Sequence, residues 1–133
     1  ASVAARAGSV SALLASFAAT DMIEDAASAA VWESIRDVTP FAAAGPLGAW
    51  PVWRIVCPPA SGGAFGQALA RETGGHVFYD WSGGLIWAAL PPAPDAHAQM
   101  LRQRLKAIDG HDTLIRGSES AFGTRHGSAP LAM

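Results

Sequence analysis

Charge is scarce in this chain of 133 residues. Only 15% are Asp, Glu, Lys or Arg, against about 25–35% on the surface of a small free-standing domain. The shortage implies surface hidden by a partner or by more of the same protein. Formal net charge is −2 and the basic residues form no run, which argues against nucleic acid as a ligand. Cys57 is the single cysteine. It excludes an intrachain disulfide and a Cys-based zinc site, and makes a reducing cytoplasm the expected compartment. No apolar run approaches the ~18 residues that span a bilayer. Ala1 to Ala19 lacks the charged start and compact apolar core of a signal peptide. With no initiator Met, the chain is expected to be a domain excised from a longer protein.

What the chain does have is apolar surface: half its residues are hydrophobic, with five tryptophans. Ser2 to Ala19 has a helical pattern, with Val10, Leu13, Leu14 and Phe17 on one face. Met22-Ile23-Glu24 reads as a very short strand. Asp25 caps a second helix running to about Val38, stopped by Pro40. Ala42 to Ala49, with Gly45, Pro46 and Gly48, reads as a loop. Trp50 to Cys57 reads as a strand ended by Pro58-Pro59, and Ser61 opens a helix that stops at Gly74 or Gly75. His76 to Leu90 is a hairpin about a short Gly-bearing loop. Pro94-Asp95 starts a helix capped by Gly110, with Arg102, Gln103 and Lys106 facing water. Thr113 to Arg116 is the last strand.

The order β-α-β-β-α-β predicts an α+β, ferredoxin-like fold: a four-stranded antiparallel sheet with both helices on one face, preceded by two extra helices. The expected division is a helical segment over 1–49, the ferredoxin-like unit over 50–116 and an irregular tail over 117–133.

The strands look apolar on both faces. Alternation carried through the hairpin groups Val77, Tyr79, Trp81, Leu85, Trp87 and Ala89 against His76, Phe78, Asp80, Ile86, Ala88 and Leu90. One registry puts Trp53, Ile55 and Ile115 under the helices and leaves Arg54 and Arg116 sharing the open face. Two arginines on an apolar face suit a carboxylate, a phosphate or a flavin edge, because the guanidinium fork binds such groups bidentately. The competing account is a domain or dimer interface, with the arginines paired to Asp80 and Asp112.

Other motifs carry less. Ser61-Gly62-Gly63-Ala64-Phe65-Gly66 looks like a phosphate-cradling turn, but it lacks the first glycine of G-x-G-x-x-G and a following lysine; an ordinary capped loop accounts for it better. His76, His97, His111 and His126 show no metal-ligand spacing. Cys57 reads as a buried small hydrophobe, and no complete catalytic apparatus is visible.

Asp80-Trp81-Ser82-Gly83-Gly84-Leu85-Ile86-Trp87 resembles the "DW-GG-x-x-W" hairpin of the FAD-binding subunit of bacterial glycolate oxidase. Val31-Trp32-Glu33-Ser34-Ile35-Arg36-Asp37, Val52-Trp53-Arg54-Ile55 and Gly110-His111-Asp112-Thr113-Leu114-Ile115-Arg116 fall in the same order as in that subunit. The resemblance, to FAD-linked oxidases of the vanillyl-alcohol oxidase type, spans roughly Ala26 to Arg116. It implies a C-terminal cap domain whose sheet lies over the isoalloxazine ring and shapes the substrate pocket. FAD would be held mainly by a separate N-terminal domain, and the partners would be a second flavoprotein and an iron–sulfur subunit. The site residues implied are Arg54 and Arg116 for the 2-hydroxy-acid carboxylate, with Trp87 or Tyr79 walling the pocket. No catalytic base can be matched to a position. The family's closing "F-D-P…N-P-G-R" segment is missing, so the chain alone is expected neither to hold FAD tightly nor to turn over substrate. It would sit in the cytoplasm, brought to the inner membrane by partner subunits. The alternative function is a ferredoxin-like module that dimerises or binds a small ligand without catalysis.

Overall fold

The computed structural model describes residues 2–117. The expected tail, apart from Gly117, lies outside the described residues. The chain divides into two units, Ala1–Asp37 and Val38–Met133.

The first unit holds two helices, α1 (Val3–Leu14) and α2 (Asp25–Arg36). Ser2 caps α1, its Oγ accepting from the Ala5 amide at 3.2 Å. Glu24 rather than Asp25 occupies the N-cap of α2. Met22-Ile23-Glu24 forms no strand; three residues without a neighbouring strand have no ladder to join. Neither helix buries a residue, and Val10, Leu13 and Phe17 stay exposed.

The second unit carries the sheet. Its strands are β1 (Val52–Val56), β2 (His76–Asp80), β3 (Leu85–Ala89) and β4 (His111–Arg116). Their spatial order is β2-β3-β1-β4, with every neighbouring pair antiparallel. Helix α3 (Pro59–Thr73) connects β1 to β2, and α4 (Ala98–Leu105) connects β3 to β4. This is the ferredoxin-like arrangement, reached because two crossover helices pack on one face of the sheet.

Local chemistry sets the boundaries. Pro59 sits in the first turn of α3, where a missing N–H costs nothing. Gly74 ends the helix at φ +71°, a left-handed position that glycine adopts without strain. The Asp95 carboxylate accepts from the amides of His97 (3.0 Å) and Gln99 (3.1 Å) and so caps α4. These bonds hold its carboxyl below the usual carboxylate range, that from Gln99 contributing most. At the other end Asp109, not Gly110, takes the left-handed position (φ +52°). Gly110 is needed there for space, since a Cβ would crowd the side chain of Leu105.

The main core lies between sheet and helices. Trp53 and Ile55 from β1, with Ile86 and Ala88 from β3, meet Leu69 of α3 and Leu101 and Leu105 of α4. Each large apolar side chain so buried contributes roughly 1.5–3 kcal/mol. Trp53, 1% exposed, also donates its indole N–H to the Ala96 carbonyl at 2.8 Å, tying the approach to α4 onto the central strand.

A second, smaller core forms on the opposite face. Phe41, Val52 and Ala89 are buried there, with Val38, Leu47, Trp50, Phe78 and Trp87 packed around them. Phe41 meets Phe78 edge-on at 6.2 Å. The stretch 38–49 therefore groups with the sheet unit, whereas the division at residue 49 places it in the helical segment. It covers part of the face expected to be bare.

Two further expectations need correction. Ile115 does not lie under the helices: it is 48% exposed, and Leu114 packs against the main core instead. The cause is a register shift between Val52 and Trp53 in the β1–β4 ladder, which pairs Trp53 with Leu114 but Val52 with Arg116. The hairpin faces were also mis-sorted. Asp80 pairs with Leu85 across a four-residue connection, so odd positions of β2 face the same way as even positions of β3. Val77 and Tyr79 share the helix side with Ile86 and Ala88; His76, Phe78 and Asp80 share the other side with Leu85, Trp87 and Ala89.

Candidate functional site

The register places Arg54 at the centre of the face away from the helices. Its cross-strand neighbours are Trp87 on β3 and Thr113 on β4. Arg54 is half-buried, and its guanidinium carbon lies over the Trp81 ring at 5.3 Å from the centroid. Among the described residues it makes no hydrogen bond or ion pair with the protein. A cation on an apolar face with aromatic surface beside it and no carboxylate against it has the makings of an anion site.

Trp81 is held there by the loop that joins β2 to β3. Trp81, Ser82 and Gly83 all have positive φ (+50°, +53° and +93°). The Asp80 carboxylate accepts from the Trp81 amide at 2.7 Å, and the Trp81 carbonyl accepts from the Gly84 amide at 3.0 Å. The Cys57 amide donates to Gly84 at 3.1 Å, which fixes the loop to the end of β1. From the helix side, Gly62 packs directly against the Gly83 carbonyl, leaving no room for a Cβ.

That contact changes the reading of Ser61 to Gly66. These residues lie inside α3, which begins at Pro59, so their amides are not the free donors of a phosphate turn. Gly62 makes room for the hairpin loop and Gly66 for the Tyr79 ring.

The four residues singled out in the sequence do not come together as one pocket. Arg54 and Trp87 are adjacent on the open side. Arg116 is on the same side, but its guanidinium is engaged with backbone: Nε donates to Trp50 O (3.1 Å), Nη1 to Phe41 O (2.7 Å) and Nη2 to Leu47 O (2.8 Å). It clamps the covering segment. Tyr79 points to the helix side, where its hydroxyl lies 3.4 Å from the Gly63 carbonyl and burial raises its pKa. The expected pairing of the arginines with Asp80 and Asp112 is not found. Asp80 caps the loop, and Asp112 lies 3.7 Å from Arg102, a residue expected to face water. Trp81 is absent from the site residues expected from the sequence, which marks it only by its place between Asp80 and the Ser82-Gly83-Gly84 turn, in the hairpin that carries the resemblance.

Concavities also occur elsewhere among the described residues. A cleft of about 310 Å³ is lined by Arg102, Leu105, Lys106, Gly110, His111 and Asp112. Burial raises the Asp112 carboxyl above the ordinary range, and the long contact with Arg102 only partly opposes this. In the first unit, Val3, Val10, Leu14 and Met22 line an apolar groove of about 380 Å³. Cys57 is buried and its thiol pKa is raised by that burial, which suits packing rather than nucleophilic attack. Among the described residues no three His, Cys, Asp or Glu side chains assemble into a metal site, and no helix is long and apolar enough to cross a membrane.

Comparison with family models, with curated proteins and with solved structures gives no match.

Proposed function

We propose that this chain is the substrate-side, or cap, domain of an FAD-dependent 2-hydroxy-acid oxidase or dehydrogenase, of the glycolate-oxidising kind, incomplete by itself. The observation that carries the reading is Arg54: a half-buried guanidinium on the open sheet face, stacked on Trp81, with no anionic partner among the described residues. Burying a cation without a partner is costly. A ligand carboxylate would offset that cost and gain a bidentate pair.

The residues fit one part of the implied cofactor and not another. Arg54, Trp81 and Trp87 offer a cation and aromatic walls suited to a flat ring and a small acid beside it. The Ser61–Gly66 segment offers the ADP portion no cradle: it is helical within α3, where Gly62 makes room for the hairpin loop and Gly66 for the Tyr79 ring. This division agrees with a flavin held chiefly by another domain, with further redox subunits accepting the electrons. When bound, FAD would supply the electron-accepting ring. The work of this chain is to hold the acid by its carboxylate at Arg54 and to keep the site walled by indole surface. Arg116 contributes indirectly, by fixing the segment that closes one side of the face.

The test is Arg54→Ala in the flavoprotein that carries this domain. The expected result is a KM for the 2-hydroxy acid raised about tenfold or more, the scale of one lost charged bidentate contact. An unchanged KM removes the assignment.

A further inference from the structure

We propose that Trp81 is a positioning residue for Arg54, one that turns the guanidinium N–H groups toward a small carboxylate ligand. The inference rests on the reading of Arg54 as the carboxylate site.

Ordinary packing does not account for Trp81. It is 57% exposed, so its indole gains little from burial. Its backbone sits at φ +50°, a region where a bulky aromatic is an outlier. Such a conformation persists only when its surroundings over-determine it. Here they do: the Asp80 carboxylate on the Trp81 amide, the Gly84 amide on the Trp81 carbonyl, the Cys57 anchor and the Gly62–Gly83 contact all converge on one loop. Together these hold the indole against the Arg54 guanidinium.

The consequence for Arg54 is directional. An aromatic face attracts the cation but offers no in-plane acceptor. The N–H groups must therefore find their acceptor in the plane of the guanidinium, beside the ring and not on it. A planar oxyanion approaching edge-on satisfies two of them at once. Without the indole, the arginine side chain regains its rotamers and must be ordered again on binding.

The probe is glycolate, titrated into the chain while the Arg54 Nε–H and tryptophan indole N–H resonances are followed. In the native chain both Arg54 Nε–H and Trp81 indole N–H shift, with a common midpoint. Trp81→Asn, whose side chain tolerates the left-handed backbone, weakens glycolate binding about fivefold. Its melting temperature stays within about 4 °C of the native chain. Trp81→Phe restores most of the affinity. If Trp81→Asn binds glycolate as the native chain does, if Trp81→Phe binds no better than Trp81→Asn, or if the Trp81 indole stays unmoved while Arg54 Nε–H shifts, the positioning role is wrong while the Arg54 site stands. If the native chain shows no saturable shift at Arg54, both fail. Should Trp81→Asn not fold, the native chain still decides: a shared midpoint for Arg54 Nε–H and the Trp81 indole N–H upholds the role, and an indole that stays unmoved while Arg54 shifts overturns it.

Discussion

Replacing Arg116 by Met tests whether this arginine is a clamp. Its three guanidinium nitrogens each donate to a carbonyl of the segment that covers the sheet: Trp50, Phe41 and Leu47, at 3.1, 2.7 and 2.8 Å. A hydrogen bond from a charged donor contributes about 1.5–3 kcal/mol net, so three would approach ~6 kcal/mol in a dry setting. Arg116 is only half-buried, and water replaces it at some of these carbonyls in the variant. The expected destabilisation is therefore about 2–4 kcal/mol, read as a lower urea midpoint. Arg116→Lys recovers less than half, because one ammonium cannot reach three divergent carbonyls as a fork does. The damage should be local first. The amides of Phe41, Gly45, Gly48 and Trp50, which donate within the covering segment, lose hydrogen-exchange protection before those of Ile55 and Ile86. A loss below about 0.5 kcal/mol, with protection unchanged over 38–50, refutes the clamp.

Two substitutions one residue apart in α3 should have opposite signs. Gly62→Ala drives a Cβ into the Gly83 carbonyl and forces the hairpin loop to move, costing about 3 kcal/mol or more; Gly63→Ala meets nothing within 4 Å and gains roughly 0.5–1 kcal/mol of helix propensity. Thermal melts of the two variants check this, and equal shifts would contradict it. Asp112 governs a pH dependence. Burial raises its folded-state pKa above the unfolded value of about 3.9. The native state thus binds more protons than the unfolded state between those values. Stability falls as pH rises through that window and then levels. Asp112→Asn should abolish the fall and be relatively more stable at pH 7 than at pH 3.5, judged against the native chain; the reverse ordering in urea melts would sink the argument.

The ferredoxin-like order was legible because each element carried its own punctuation: Pro58-Pro59 after β1, Gly74 after α3, the proline cluster after β3. Residue types alone also placed Trp53 and Ile55 under the helices. The faces of the hairpin were not legible, since a four-residue connection reverses the parity that simple alternation assumes. Ile115 failed for a related reason: a register shift is a property of the pair of strands, invisible in either one. The covering segment was hidden because its apolar residues, Phe41, Leu47 and Trp50, are too widely spaced to show a period. The arginine that fastens it offered the same residue type as the arginine left open. At the candidate site the β1 pattern puts Arg54 on the open face and Trp87 enters only through the resemblance, whereas Trp81 depends on backbone angles that glycine, not tryptophan, ordinarily announces.

The most direct test of the central claim is a map of amide and side-chain resonances perturbed by glycolate across the whole chain. The account predicts saturable shifts centred on Arg54, Trp81, Trp87 and Thr113, with the guanidinium of Arg116 unmoved. A map centred instead on Arg102, Lys106 and His111, or one with no saturable shift anywhere, would contradict it.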